Sequence, residues 1–435
     1  MINWLLALDL IDDPWIVLAP RVLCVALLIA VTVWRPARGR RILVGAVAGG
    51  ALVGLTGAAL QQLGAFDGPL PGLALWWGVA AGVGVGVGVV GLFSRPWPRR
   101  LLAGLLVVVA LVVGGVGVNR AYDITHTLAA ILGVQAYGSV PLPDQTAEGG
   151  SASDAALYTS WHPPADMPLH GQVSALSGAE RIPVGGFPAA RDGALYLPPA
   201  ALVKDPPSLP VIVFMMGQPG SPDPQYLAKT LDAFAAAHEG LAPIALVVDQ
   251  LGAPDRDPAC ADSTMYGAVS TYVNELVPAF ITAHLNVTSD HARWLIGGYS
   301  NGGSCALTYA ADHPDVWGGV IDISGNEYPG SEHVDETVRD VFGGDRAAFE
   351  ASLPAAVMAR NAGDYAGHIA VFTRGSEDTT FGPGQQRNAA AARAAGFTVS
   401  ETVIAGAGHV GAALADGLTA AVAAVGPALG LAPPG

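Results

Sequence analysis

Four apolar runs crowd the first third of the chain, at about 15–34, 42–60, 73–93 and 101–118. Each is roughly 18 to 21 residues long, which at about 1.5 Å per helical residue matches the roughly 30 Å hydrocarbon core of a bilayer. No ordinary water-soluble domain collects four such runs in succession, so they predict four membrane-spanning helices. A cleaved signal peptide is the competing reading of the first run. It asks for a basic leader, and the residues ahead of this run carry Asp9, Asp12 and Asp13 instead.

Charge in the loops then predicts orientation. Arg35, Arg38, Arg40 and Arg41 follow the first run, and Arg95, Arg99 and Arg100 follow the third, whereas the stretch 61–72 carries only Asp67. Positively charged short loops stay in the cytoplasm. Both termini, and everything after Asn119, are therefore expected outside the cell membrane. Arg21 sits near the outer end of the first span, where a long stem can snorkel to the interface. The second to fourth runs hold no Asp, Glu, Lys, Arg or His, the groups that mark ion and proton paths. Gly45, Gly49, Gly82, Gly86, Gly84 and Gly88 fall at the small-xxx-small spacing of close helix packing. The bundle reads as an anchor rather than a transporter.

A net charge of -15, with Lys204 and Lys229 the only lysines, leaves no basic surface for phosphates and excludes nucleic-acid binding. Between 119 and 168 the apolar runs stop, and "VPLPDQTAEGGSASD" has the Pro, Gly, Ser and acid mix of an exposed linker. From 169 to 435 a folded domain is expected. "GQVSAL" and "GALYLPP" read as half-buried strands, and "PVIVFMM", "PIALVVD", "WLIGGYS", "GGVIDISG" and "IAVFTRG" as fully buried ones. Helical patterns at 225–238, 266–284 and 303–313 separate them. Such alternation implies a mostly parallel sheet with helices on both faces and an active site at the C-terminal strand ends.

Within this frame, Gly298-Tyr299-Ser300-Asn301-Gly302 spells G-x-S-x-G. In a chain with 56 Gly the pattern alone is weak, because chance supplies roughly a few tenths of a match. Its context is stronger: a buried strand precedes Ser300 and a helix follows it. A nucleophile on so sharp a turn needs small neighbours, and Gly298, Gly302 and Gly303 supply them. An ordinary helix N-cap serine is the competing reading. A serine hydroxyl also needs a base, and in this arrangement acid and histidine follow in that order. "GSEDTTFGP" at the end of the strand 368–375 offers Asp378, with Glu377 as the alternative acid, and "GAGH" after the strand 398–404 offers His409. The amide of Asn301 and those of Gly217 and Gln218, in "MGQPG", are the expected oxyanion donors.

These residues resemble a family: the extracytoplasmic esterases of the α/β-hydrolase fold, which include the actinobacterial mycolyltransferases and the esterase D-like enzymes. The similarity covers about 171–426 and rests on "ALYLPP", "PVIVFMMGQPG", "ALVVDQ", "YVNELVPAFI", "WLIGGYSNGG", "HPDVWGGVIDISG", "RGSED" and "GAGH". It implies a triad of Ser300, Asp378 (or Glu377) and His409. It also implies acyl-ester chemistry on lipids, lipid-linked sugars or small esters. Many members have His-Gly or Asp-Gly where this chain has Met216-Gly217, and Met where it has Asn301.

Cys24 lies in the first span, leaving Cys260 and Cys305 in the outer domain as a disulfide pair or two separate buried thiols. No cofactor and no metal site are expected. The segment 326–367 breaks the strand-helix rhythm and is expected to form a helical cap. The resulting reading is a four-span, multi-pass anchor followed by an α/β-hydrolase domain, an esterase acting on acyl esters such as acylated or aminoacylated envelope lipids. The alternatives are transfer of the acyl group to a sugar or lipid hydroxyl, and a non-catalytic envelope scaffold.

Overall fold

The computed structural model describes residues 3–6, 8–33, 39–63, 70–94, 97–122, 125–132, 134, 136–139, 142 and 156–434. Trp34, Arg35, Arg38, Asp67 and Arg95, and all of the linker stretch 140–154 except Leu142, lie outside the described residues. The chain divides into two compact units, Met1–Leu128 and Ala129–Gly435.

The first unit is built from four long helices, α1 (Pro14–Val33), α2 (Gly39–Gln62), α3 (Gly72–Leu92) and α4 (Trp97–Tyr122). All four are long and apolar enough to cross a membrane. Their outward faces leave Leu18, Val22, Val44, Leu52, Leu55 and Val108 exposed, a surface that water would oppose and lipid tails would accept. Where α2 meets α3 the contact is backbone on backbone. A Cβ on Gly49 would stand 2.0 Å from the Gly82 carbonyl oxygen, and one on Gly45 2.6 Å from that of Gly86. Larger residues would force those helices apart. The Arg21 guanidinium lies over the Trp77 ring, 4.3 Å from the centroid. There the ring's negative face offsets part of the cost of a charge on so apolar a helix.

The second unit is an eight-stranded sheet. Its strands are β1 (Gln172–Leu176), β2 (Gly193–Leu197), β3 (Val211–Met215), β4 (Ile244–Val248), β5 (Trp294–Tyr299), β6 (Gly319–Ile323), β7 (Ile369–Gly375) and β8 (Thr398–Ile404). They run in the order β1-β2-β4-β3-β5-β6-β7-β8. The pairs β1–β2 and β2–β4 are antiparallel and all the others are parallel. Helices α5 (Gln225–Ala237), α6 (Val277–His284), α7 (Asn301–Asp312), α8 (Gly382–Ala395) and α9 (Ala412–Val425) lie between or after the parallel strands. Trp294, Leu295, Phe214, Ile321 and Phe372, fully buried, make the core of this mostly parallel α/β domain.

Two expectations change. The half-buried strand expected at "GALYLPP" is instead an inner strand, β2, whose five residues are all buried, so both faces of the sheet are covered there. The helix expected at 266–284 begins at Val269 and runs to His284, with a π turn inside it. Its expected start is taken by a short hairpin of Asp262–Ser263 with Gly267–Ala268, after which Val269–Thr271 lead through a wide π turn at Tyr272–Leu276 into α6. Pro278 lies in the first turn of α6, where its missing N–H interrupts a regular helical ladder. The segment 326–367 holds three short helices, Val334–Asp340, Arg346–Ser352 and Pro354–Arg360.

Candidate active site

β3, β5, β6 and β7 end side by side, with Met215 opposite Gly298, Tyr299 opposite Ile323 and Ile323 opposite Thr373. Residues just beyond those ends therefore converge on one edge of the sheet. Ser300 stands at the centre, between β5 and α7. Its backbone has φ 55 and ψ -119, a region sparsely populated by non-glycine residues and costing of order 1–3 kcal/mol. The neighbours make that turn sterically possible. A Cβ on Gly298 would lie 2.2 Å from the Gly302 carbonyl carbon, and one on Gly302 would lie 2.2 Å from the Met215 carbonyl oxygen. Only glycine fits at either position.

Ser300 makes no side-chain cap bond to its own helix. Its Oγ is instead 2.9 Å from His409 Nε2, and His409 Nδ1 is 2.7 Å from Asp378 Oδ2. The other Asp378 oxygen accepts the Phe381 amide at 3.0 Å. Burial pushes the Asp378 carboxyl up. The hydrogen bond and charge of His409, with the amides of Phe381 and Gly382, outweigh burial and hold it below the usual carboxylate range. The carboxylate is thus kept ionised beside the imidazole. Tyr299 donates its hydroxyl hydrogen bond to the His409 carbonyl at 3.0 Å, and the Phe381 ring lies 4.4 Å from the imidazole. Both fix the histidine loop. Glu377, next to Asp378, is exposed, and its amide donates to the Ala407 carbonyl. Of the two candidate acids it is Asp378 that faces His409.

The loop after β3 packs directly on the serine turn. A Cβ on Gly217 would stand 3.2 Å from Ser300 Cβ, and Gln218 follows, joined to Pro219 by a cis peptide bond. Asn301 opens α7, where the first backbone N–H groups have no acceptor within the helix. Gly217, Gln218 and Asn301 are therefore gathered round Ser300 from two strand ends.

Cys260 and Cys305 form a disulfide that ties the loop after β4 to α7. Sequence reasoning passed over Gln250 and Asp257. Asn301 Nδ2 donates to Asp257 Oδ1 at 3.2 Å, and Gln250 Nε2 donates to Asn301 Oδ1 at 3.1 Å. Burial pushes the Asp257 carboxyl up, partly offset by the Ala259 amide and Asn301. The available signal for Gln250 was its place at the very end of a buried strand, in "VVDQ". In the first unit, ligand atoms of Asp9, Asp12 and His126 lie within 4.8 Å of one another. Asp9 Oδ1 there already accepts the amides of Ile11 and Asp12. Residues so far apart in the chain show no ligand spacing, so the sequence did not reveal this grouping.

A family model named Esterase, with the description "Putative esterase", matches residues 187–409, a stretch that runs from Phe187 to His409 and includes Ser300 and Asp378. An uncharacterised protein of Corynebacterium glutamicum is 33% identical over 312 residues, covering 69% of this chain and 70% of its own. Among solved structures, an S-formylglutathione hydrolase from Agrobacterium tumefaciens aligns at 17% identity, covering 60% of this chain and 97% of its own, with a TM-score of 0.49. A fluorophosphonate-binding serine hydrolase of Staphylococcus aureus aligns at 13% identity over 58% of this chain and 98% of its own, with a TM-score of 0.46.

Proposed function

The chain belongs to the Esterase family, and from that premise we propose that it is a membrane-anchored serine esterase whose second unit works on the outer side of the cell membrane. The observation that carries the reading is the line of contacts from Ser300 Oγ through His409 to Asp378, at 2.9 and 2.7 Å. In the mechanism, Ser300 Oγ attacks the ester carbonyl while His409 Nε2 takes its proton. Asp378 holds the imidazole in the required tautomer and stabilises the imidazolium without taking the proton itself. Negative charge on the former carbonyl oxygen meets the amides of Asn301 and Gln218, with Gly217 leaving room for it. His409 then protonates the departing alcohol, an acyl-Ser300 ester remains, and water activated by the same imidazole releases the acid.

Four helices long and apolar enough to cross a membrane support tethering of the domain at a bilayer surface, and with it acyl esters of envelope lipids as substrates. Arginines after the first and third spans support the outward placement of both termini and of the catalytic unit. The segment 326–367 follows β6 and so leaves the edge that bears Ser300, which supports a capping role for it.

The test is labelling of intact cells with a membrane-impermeant fluorophosphonate probe, beside Ser300→Ala. Labelling of the parent alone is expected. Equal labelling of both proteins, or of neither even after lysis, would sink the enzymatic reading. Labelling only after lysis would reverse the assigned orientation.

A further inference from the structure

Asp249 and Gln250, consecutive residues just past the end of β4, grip the loop 216–220 at its two ends. Asp249 forms a two-pronged ion pair with Arg191, Oδ1 to Nη2 at 2.6 Å and Oδ2 to Nε at 2.9 Å. Arg191 Nη1 in turn donates to the Gly220 carbonyl at 2.8 Å. At the other end Gln250 Nε2 donates to the Met216 carbonyl at 2.6 Å, and the same nitrogen donates to Asn301 Oδ1 at 3.1 Å. Gln250 is buried, so no water competes for these bonds.

The direction of every bond in this chain is settled from both ends. Met216 offers a carbonyl, which can only accept, so Gln250 must present its NH2. Asp257 offers a carboxylate oxygen to Asn301 Nδ2, so Asn301 must turn its carbonyl oxygen to Gln250. Asp257, Asn301, Gln250 and Met216 thus form one line of hydrogen bonds joining the end of β3, the end of β4 and the first turn of α7.

We propose that Gln250 is a positioning residue that holds the two halves of the oxyanion site at a common spacing. One half is the Gly217–Gln218 backbone that follows Met216, and the other is the backbone amide of Asn301. The assignment rests on the hydrolase reading above. Its physical basis is that oxyanion donors act only when set in advance where charge develops, so a small displacement of either half costs rate rather than substrate affinity. The Gln250 side chain bonds to the Met216 carbonyl and to Asn301. It acts through the two segments it joins.

The experiment uses the full chain in detergent and compares the parent with Gln250→Met, which keeps the volume and removes the donor, and Gln250→Glu, which sets an acceptor against two acceptors. Rates with p-nitrophenyl butyrate are expressed per serine that a fluorophosphonate labels to completion, so that misfolded protein drops out. Expected is a fall in kcat of about 10- to 100-fold for Gln250→Met and more for Gln250→Glu, with KM within about twofold. A trifluoromethyl ketone, which forms a tetrahedral oxyanion adduct with the serine, should lose inhibition by the same factor as kcat/KM. A Gln250→Met protein with the parent's kcat and ketone inhibition overturns the assignment. So does a rise in KM at unchanged kcat. A parent that neither labels at Ser300 nor turns over the ester overturns the hydrolase reading itself, and the assignment with it.

Discussion

Ser300 Oγ and His409 Nε2 lie 2.9 Å apart across 109 residues of chain, with Asp378 Oδ2 a further 2.7 Å beyond the imidazole. Ser300→Ala is expected to lower kcat by about 10⁵- to 10⁶-fold. Asp378→Asn is expected to lower it by about 10³- to 10⁴-fold through loss of the correct imidazole tautomer. Glu377→Gln, at an exposed side chain, should leave kcat within about twofold of the parent. Ester turnover normalised to folded protein measures all three. A larger effect at Glu377 than at Asp378 would reverse the choice of acid.

Gly302 tests the packing of the β3 loop on the serine turn. A methyl group there would lie 2.2 Å from the Met215 carbonyl oxygen and 2.7 Å from that of Met216, both rigid backbone atoms. Gly302→Ala should destabilise the domain by about 1–3 kcal/mol and, by pushing Gly217 and Gln218 away, lower kcat by at least about tenfold. Thermal unfolding and ester kinetics check the two halves separately. A variant with both properties unchanged would show that the loop and turn are not in close contact.

The Cys260–Cys305 bridge closes a sequence separation of 45 residues. On the chain-entropy account, a loop of that length restricts the unfolded chain by about 4 kcal/mol. Reduction, or replacement of both cysteines by Ala, should lower the stability of the second unit by an amount of that order. Denaturant unfolding with and without dithiothreitol measures it. No change on reduction would mean that the bond is absent in the folded protein.

Asp322 supplies a pH dependence of stability. It is fully buried, accepts the Gly325 amide at 2.8 Å and Gln385 Nε2 at 3.0 Å through Oδ1, and has no partner on Oδ2 among the described residues. Burial pushes its carboxyl up to about 6, against the opposing effect of those two donors. A folded value above the unfolded one means that the native state binds the extra proton. The contribution to stability is therefore full below the unfolded value of about 3.9 and is lost as pH rises through about 6, a change of order 3 kcal/mol. Asp322→Asn should remove that component of the slope, so the gap between variant and parent should shift in the variant's favour between pH 4 and pH 7. Urea unfolding across this range reads the difference. Parallel pH profiles for the two proteins would contradict the assignment of the buried carboxyl.

Much of the fold could be read directly from local pattern. β7 and β8 run over the residues expected of them, and four apolar lengths became four long helices, because span length and strand hydrophobicity are properties of a few neighbouring residues. The helix expected at 266–284 holds from Val269 to His284, but its start is taken by a hairpin and a π turn at Tyr272–Leu276, just ahead of Pro278, widens it in a way that periodicity does not show. The inner position of β2 could not be read at all, since its pairing with β4 joins segments about fifty residues apart.

The sequence by itself determined the four long apolar helices, the serine turn with its three glycines, and the order serine, acid, histidine, all of which depend on short-range sterics and hydrophobic length. The tertiary structure alone decided that Asp378 rather than Glu377 meets His409, that Cys260 pairs with Cys305, and that Gln250 lies between Met216 and Asn301. Each of those three is a contact between residues that lie on different loops or helices of the sheet's edge and far apart in the chain. The register of a parallel sheet, which brings distant residues to one edge, is set by the packing of the whole domain and not by any local run of residues.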